Sequence, residues 1–162
     1  MEIERLRTLL ESVAQGTLSV DDALNALRDL PYQNLEFARL DHHRALRKGF
    51  PEVVLCQGKT PEQVATLLSR LAERGRALAT RATKAHYKAV HAVLPEAVYH
   101  AQARAITLGE IPSAPEQPYG VVVAAGTADI PVAEEARLTA RMMGVSVHTL
   151  YDVGVAGLHR LL

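Results

Sequence analysis

The chain has 162 residues, 18 basic and 18 acidic, with 48% hydrophobic and 22% charged side chains; this is the balance of a folded globular protein, without the surplus of cations on which nonspecific nucleic-acid binding rests. No apolar run approaches the roughly 20 residues of a membrane-crossing helix, and the leucines of MEIERLRTLLES are interleaved with charges, unlike a secretory signal, so a cytoplasmic protein with no membrane and no nucleic-acid partner is expected. The one cysteine, Cys56, excludes an internal disulfide and a cysteine-rich zinc site.

Ile3, Leu6, Leu9, Leu10 and Val13 share one helical face, and Gly16 supplies a stop. Ser19 caps a second helix, with Asp22 three residues on and Ala23, Leu24, Leu27 and Leu30 at helical spacing until Pro31, so the two helices form a hairpin. Leu35 and Phe37 alternate as a short strand, and PEVVLC, Pro51 to Cys56, gives another. Thr60, Pro61 and Gln63 make a capping box with proline at the first helical position; Val64, Leu67, Leu68 and Leu71 follow on one face, with Gly75 past the end. Ala77 to Thr83 reads as a strand and Lys84 to Val93 as a helix halted before Pro95. Tyr99, Ala101, Ala103 and Ala105 alternate with His100, Gln102 and Arg104, the period of one strand with a buried and a polar face.

Pro112, Pro115 and Pro118 interrupt a stretch without hydrophobic periodicity and mark a boundary. Beyond it Val121, Val122 and Val123 read as a buried strand, Gly126 as a tight turn, and Asp129 with Pro131 as the start of a helix ending at Gly144; Val145, Val147 and Leu150 begin the next strand. The expected fold is α/β: a helical hairpin plus a small α/β domain over 1–112, a linker at 113–118, and a parallel β-α-β unit over 119–162. Turns after successive parallel strands point to one sheet edge, where ligands bind. AAGTADIP and DVGVAGLHR would then face each other across a crevice. Gly126 and Thr127 would hold phosphate, Asp129 would accept from ribose hydroxyls, and Arg160 would take a second phosphate oxygen. On the residues alone a plainer reading stays open, in which Asp129 only caps its helix and His159-Arg160 starts another.

Gly58-Lys59-Thr60 is not a phosphate-binding P-loop, because Val53 stands where that motif needs glycine; Thr60 is a helix cap and Lys59 a solvent-facing turn residue. His42 and His43 are adjacent and would diverge on regular structure, and His86, His91, His100 and His148 have no metal-ligand spacing, so no metal site is expected. Asp41 can pair with Arg44, and Arg44 with Arg47 can grip a phosphate or join a solvated ion-pair network. Cys56, at the end of an apolar strand, is expected to be buried and inert.

The spacing of Asp41, Arg44, Arg47, Gly49, Pro51-Glu52-Val53-Val54 and Gly58-Lys59-Thr60, together with the wording of the segment from Tyr119 onward, resembles the LarB family of nickel-pincer cofactor synthesis, whose catalytic domain is PurE-like. The purine-pathway carboxylases read Gly-Ser-x-Ser-Asp in the first turn and Ala-His-Arg in the second. Here Ala125 to Asp129 keeps the aspartate with the hydroxyl residue shifted, and Leu158 to Arg160 keeps the His-Arg pair. The resemblance implies carboxylation of the pyridinium ring of nicotinic acid adenine dinucleotide with carbon dioxide or bicarbonate, then phosphoanhydride cleavage to a dicarboxylated mononucleotide and AMP. It implies His159 beside the reacting carbon, no certain cofactor beyond the magnesium a diphosphate brings, and a homo-oligomer, octameric in the intact family. The family's nucleophilic cysteine belongs to a later Ser-Cys-containing region, so the chain reads as a truncated member, inactive alone. A non-catalytic nucleotide-binding module, an oligomerisation or interaction module, and an AIR carboxylase of purine synthesis are the competing readings.

Overall fold

The computed structural model describes residues 3–27, 32–41, 44, 48–113 and 120–160. Along them run α1 (Ile3–Ala14), α2 (Val20–Leu27), β1 (Tyr32–Leu35), β2 (Ala38–Asp41), β3 (Val53–Leu55), α3 (Pro61–Ala72), β4 (Ala77–Thr80), α4 (Lys84–Val93), β5 (Val98–His100), β6 (Ala105–Leu108), β7 (Gly120–Val123), α5 (Ile130–Met142) and β8 (Val147–Leu150). The mixed α/β architecture is the one the sequence predicts. The Pro31 stop, His42-His43, Arg47 and most of the 113–118 linker lie outside the described residues.

Local signals set the helix ends. Gly16 takes the left-handed conformation, φ 71°, after α1, and the Ser19 hydroxyl accepts the Asp22 N–H at 3.0 Å before α2. At α3 the Thr60 hydroxyl accepts the Gln63 N–H at 3.3 Å while the Gln63 side chain accepts the Thr60 N–H at 3.0 Å. The same exchange opens α4, with histidine in the role of glutamine. Thr83 donates its N–H to His86 Nδ1 at 3.1 Å, and His86 donates its N–H back to the Thr83 hydroxyl at 3.3 Å. Since Nδ1 accepts, the neutral ring carries its proton on Nε2, which reaches the Lys59 carbonyl at 3.1 Å. One buried imidazole therefore ties the start of α4 to the turn before α3.

The central sheet has the order β3-β4-β6-β5, with β3 and β4 parallel and the other pairs antiparallel. Ala77, Ala79, Ile106 and Leu108 face α3 and α4, joining Val64, Leu67, Leu68, Leu71 and Val90 in the main core. Leu78 and Ala105 point the other way, onto Leu138 and Met142 of α5. Covering both faces buries successive residues of β4 and β6, which is why these strands lack alternation. A second sheet pairs β7 with β8 in parallel, from Gly120 opposite Val147 to Val123 opposite Leu150. Helix α5 is the crossover of that pair and also packs on β4, so it serves two sheets.

Three expectations change. The strand expected at Leu35 and Phe37 is an antiparallel hairpin, β1 with β2, with Phe37 in its turn. The single strand expected over Tyr99 to Ala105 is also a hairpin: residues 101–104 form its turn, closed by the Arg104 N–H on the Ala101 carbonyl at 3.3 Å, with Arg104 at φ 50°. Its alternating alanines imitate a strand because the turn places Ala103 inside and Gln102 outside. The valine strand is not buried; β7 alternates, leaving Val121 and Val123 about half exposed at 54% and 57%.

Candidate functional site

Because β7 and β8 are parallel neighbours, the turns that follow them leave from one sheet edge. They touch there. The pairing runs on past the strands through the Ala124 N–H to the Leu150 carbonyl at 2.9 Å and the Val153 N–H to the Ala124 carbonyl at 3.2 Å. A Cβ on Gly154 would stand 2.9 Å from the Ala125 carbonyl oxygen, so only glycine fits where the second loop crosses the first.

In the first loop Gly126 is extended, φ −129°, with room for a Cβ, so its freedom is not what makes the turn. The turn is held instead by Asp129, whose carboxylate accepts the Gly126 N–H at 3.4 Å and whose N–H donates to the Gly126 carbonyl at 3.0 Å. Residues Thr127–Asp129 form a 3-10 turn leading into α5, with Pro131 in the first helical turn. Thr127 and Asp129 are exposed, and Asp129 makes no side-chain cap to α5.

In the second loop the left-handed residue is Asp152, φ 58°. Its carboxylate takes the Arg160 guanidinium at 2.7 Å, an ion pair whose side chains are 49% and 38% exposed. Val155–Arg160 is a 3-10 segment kinked at Gly157, so His159 and Arg160 do sit on a helical turn, with His159 on the surface. A phosphate reaching Arg160 would exchange with Asp152. The sequence reading had no part for Asp152 or Gly154, although DVG after a strand was the signal for both.

Beside this edge lies a charged cluster that the sequence reading also missed. Tyr151, the residue after β8, donates its hydroxyl to Glu134 of α5, and Arg137 grips the same carboxylate with bonds of 2.9 and 2.6 Å. The Arg137 hydrogen bond holds the Glu134 carboxyl below the usual range, against its partial burial and with help from Tyr151. Burial, then the bond to Glu134, raises the Tyr151 phenol. Across from them His100 Nε2 lies 2.9 Å from the Thr107 hydroxyl; burial first, and then the Arg137 and Arg141 cations, push its pKa down. Arg81, left-handed at the end of β4 with φ 54°, adds a 2.9 Å bridge to Glu135 of α5. The Glu134-Arg137 spacing of one helical turn was its legible trace.

The remaining candidates lie away from this edge. Cys56 has no accessible surface, and burial pushes its thiol up to about 11 with Lys59 opposing. Lys59 is not simply solvent-facing, since its ammonium donates to the Leu55 carbonyl at 2.9 Å. Arg44 lies 5.3 Å from the Phe50 ring centroid. An open cavity of about 520 Å³ is lined by Gly75, Arg76, Gly109, Glu110, Ile111, Pro112 and Ser113, none of them a predicted site residue. Among the described residues no three His, Cys, Asp or Glu side chains are grouped to hold a metal ion, and no helix is long and apolar enough to cross a membrane.

The structure thus defines an α/β protein in which a mixed sheet shares a helix with a parallel β-α-β unit. Residues 32–110, close to half of the chain, match the LarB/PurE-like N-terminal domain, which supports the resemblance to the LarB family read from the sequence. It is also similar to an uncharacterized protein of Methanocaldococcus jannaschii, 32% identical over 179 aligned positions that take in 98% of this chain and 65% of the relative. The chain therefore spans somewhat less than two thirds of the length of that curated relative. The matched segment holds β1 to β6; the α1–α2 hairpin and the β7–α5–β8 unit lie outside it.

Proposed function

We propose that this chain is the N-terminal portion of a cytoplasmic enzyme of nickel-pincer cofactor synthesis, one that carboxylates the pyridinium ring of nicotinic acid adenine dinucleotide and hydrolyses its phosphoanhydride. The observation that carries the reading is the parallel pairing of β7 with β8 beside a LarB/PurE-like N-terminal domain, which gives the two predicted turns a common sheet edge. In this reading Gly126, Thr127 and Arg160 bind phosphate oxygens, Asp129 meets ribose hydroxyls, and His159 stands near the reacting ring. A thiolate adding to the electron-poor pyridinium makes a ring carbon nucleophilic enough to attack carbon dioxide; departure of the thiolate and loss of the ring proton restore aromaticity. Cys56 is not that thiol, being buried with a pKa of about 11, so the nucleophile comes from elsewhere in the intact protein.

The test is turnover by the intact protein. Incubation with the dinucleotide and isotope-labelled bicarbonate should yield labelled dicarboxylated mononucleotide and AMP. With aminoimidazole ribonucleotide supplied in place of the dinucleotide, formation of its labelled carboxylate would assign a purine-pathway carboxylase. Binding of the dinucleotide with no label in any product would leave a nucleotide-binding module.

A further inference from the structure

The α1–α2 hairpin lies outside the segment that matches the N-terminal domain family, and it carries a concentration of uncovered apolar surface. Leu6, Leu9 and Val13 are partly buried, but Leu10 is 56% exposed, and Val20 and Leu24 of α2 are 62% and 60% exposed. An open groove of about 450 Å³ runs along α1 between Leu6, Arg7, Leu10, Glu11 and Ala14. One cation and one anion, four residues apart, flank this apolar strip.

We propose that this groove is where a second copy of the chain docks, two α1 helices lying antiparallel about a two-fold axis at the level of Leu9. That axis lies midway between Arg7 and Glu11, so each Arg7 comes level with the other copy's Glu11. The same axis sets the apolar register. At about 1.5 Å of rise per residue, Ala14, Leu6 and Leu10 of the two copies follow one another at intervals of about 3 Å, three from each helix, so side chains interleave rather than collide. A two-fold contact must be self-complementary, and here charge and apolar register agree on one axis. That agreement argues for a second copy over an unrelated partner. Arg7 now pairs with Glu4 at 3.5 Å, with both side chains largely exposed at 62% and 75%, an interaction weak enough to be exchanged. Val20 and Leu24 widen the apolar surface of the hairpin. The inference is independent of the reaction proposed above.

The experiment uses the 162-residue chain and charge exchange. Arg7→Glu and Glu11→Arg each place like charges across the axis and should weaken self-association roughly tenfold in sedimentation velocity. The double variant R7E/E11R restores both pairs and should associate like the parent chain. An equimolar mixture of the two single variants should form heterodimers, which a folding defect would not produce. In a Leu10→Cys variant mild oxidation should link two copies, faster than in a Val132→Cys control on α5; Cys56, without accessible surface, does not compete. Single variants that associate like the parent, a mixture that fails to recover, or Leu10→Cys linking no faster than the control would each overturn the proposal.

Discussion

Leu68 lies on α3 with no accessible surface, in the core formed with β4 and β6. Its truncation to alanine removes buried hydrocarbon and leaves a cavity that the surrounding strands can only partly close, so Leu68→Ala should cost about 2–5 kcal/mol, read from the urea midpoint. Cys56 is buried in the same core with its thiol pushed up to about 11. At pH 8 the native protein should resist alkylation until denaturant is added; modification at the rate of a free thiol would show that the site opens without global unfolding. Arg160 is engaged by Asp152 at 2.7 Å, which alters what its removal should do. In the intact protein Arg160→Ala should weaken dinucleotide binding by roughly 1.5 kcal/mol, the low end for a charge-assisted bond because the ligand must first displace Asp152. Asp152→Asn should move affinity the other way. Equal affinity in all three proteins would remove Arg160 from the phosphate site.

At the scale of the element, what was legible is what local chemistry decides. The Thr60 capping box, Pro61 and the leucine face of α3 all appear as the residues imply, and Thr60→Ala should cost about 1 kcal/mol through loss of the cap, measurable as a lower thermal midpoint. The start of α4 was placed correctly at Lys84, yet its cap went unread because His86 replaces the usual glutamate or glutamine; the buried Nε2 contact to Lys59 joins residues 27 positions apart. Both hairpins were missed for a related reason. Period-two alternation continues through a four-residue turn when the turn also puts one alanine inward, so sequence alone merged β5 and β6. In the candidate site the common edge of the two turns follows from strand order and was legible. Its fine structure was not, because the close approach of Gly154 to Ala125 and the Asp152-Arg160 pair depend on how two loops meet. The Glu134-Arg137-Tyr151 cluster needed α5 and the end of β8 in place before Tyr151 became a neighbour of the other two.

On the scale of the whole molecule, α5 joins the family-matched sheet to the parallel unit: Leu138 and Met142 bury against Leu78 and Ala105, while Arg81-Glu135 and the His100, Glu134, Arg137 and Tyr151 cluster ring that contact with titratable groups. Their pKa directions give the contact a pH dependence of definite sign. His100 is depressed by burial, then by Arg137 and Arg141, with Glu134 opposing; the neutral ring is therefore favoured in the fold. Its contribution is complete above the unfolded histidine value of about 6.5 and declines as pH falls below it. Glu134 is likewise depressed, chiefly by its bond from Arg137, so its contribution is complete above about 4.3 and is lost as pH falls through the lower folded value. Both steps weaken the protein in acid, histidine first. Chemical denaturation from pH 8 to pH 3 should show the wild type losing stability below about pH 6.5. His100→Gln, which can still reach the Thr107 hydroxyl but does not titrate, should stay level until the carboxylate range. Glu134→Gln should lower stability at neutral pH and flatten the second step. If His100→Gln follows the wild-type curve between pH 7 and pH 5, protonation of His100 does not govern the docking of α5, and the acid sensitivity belongs to other groups.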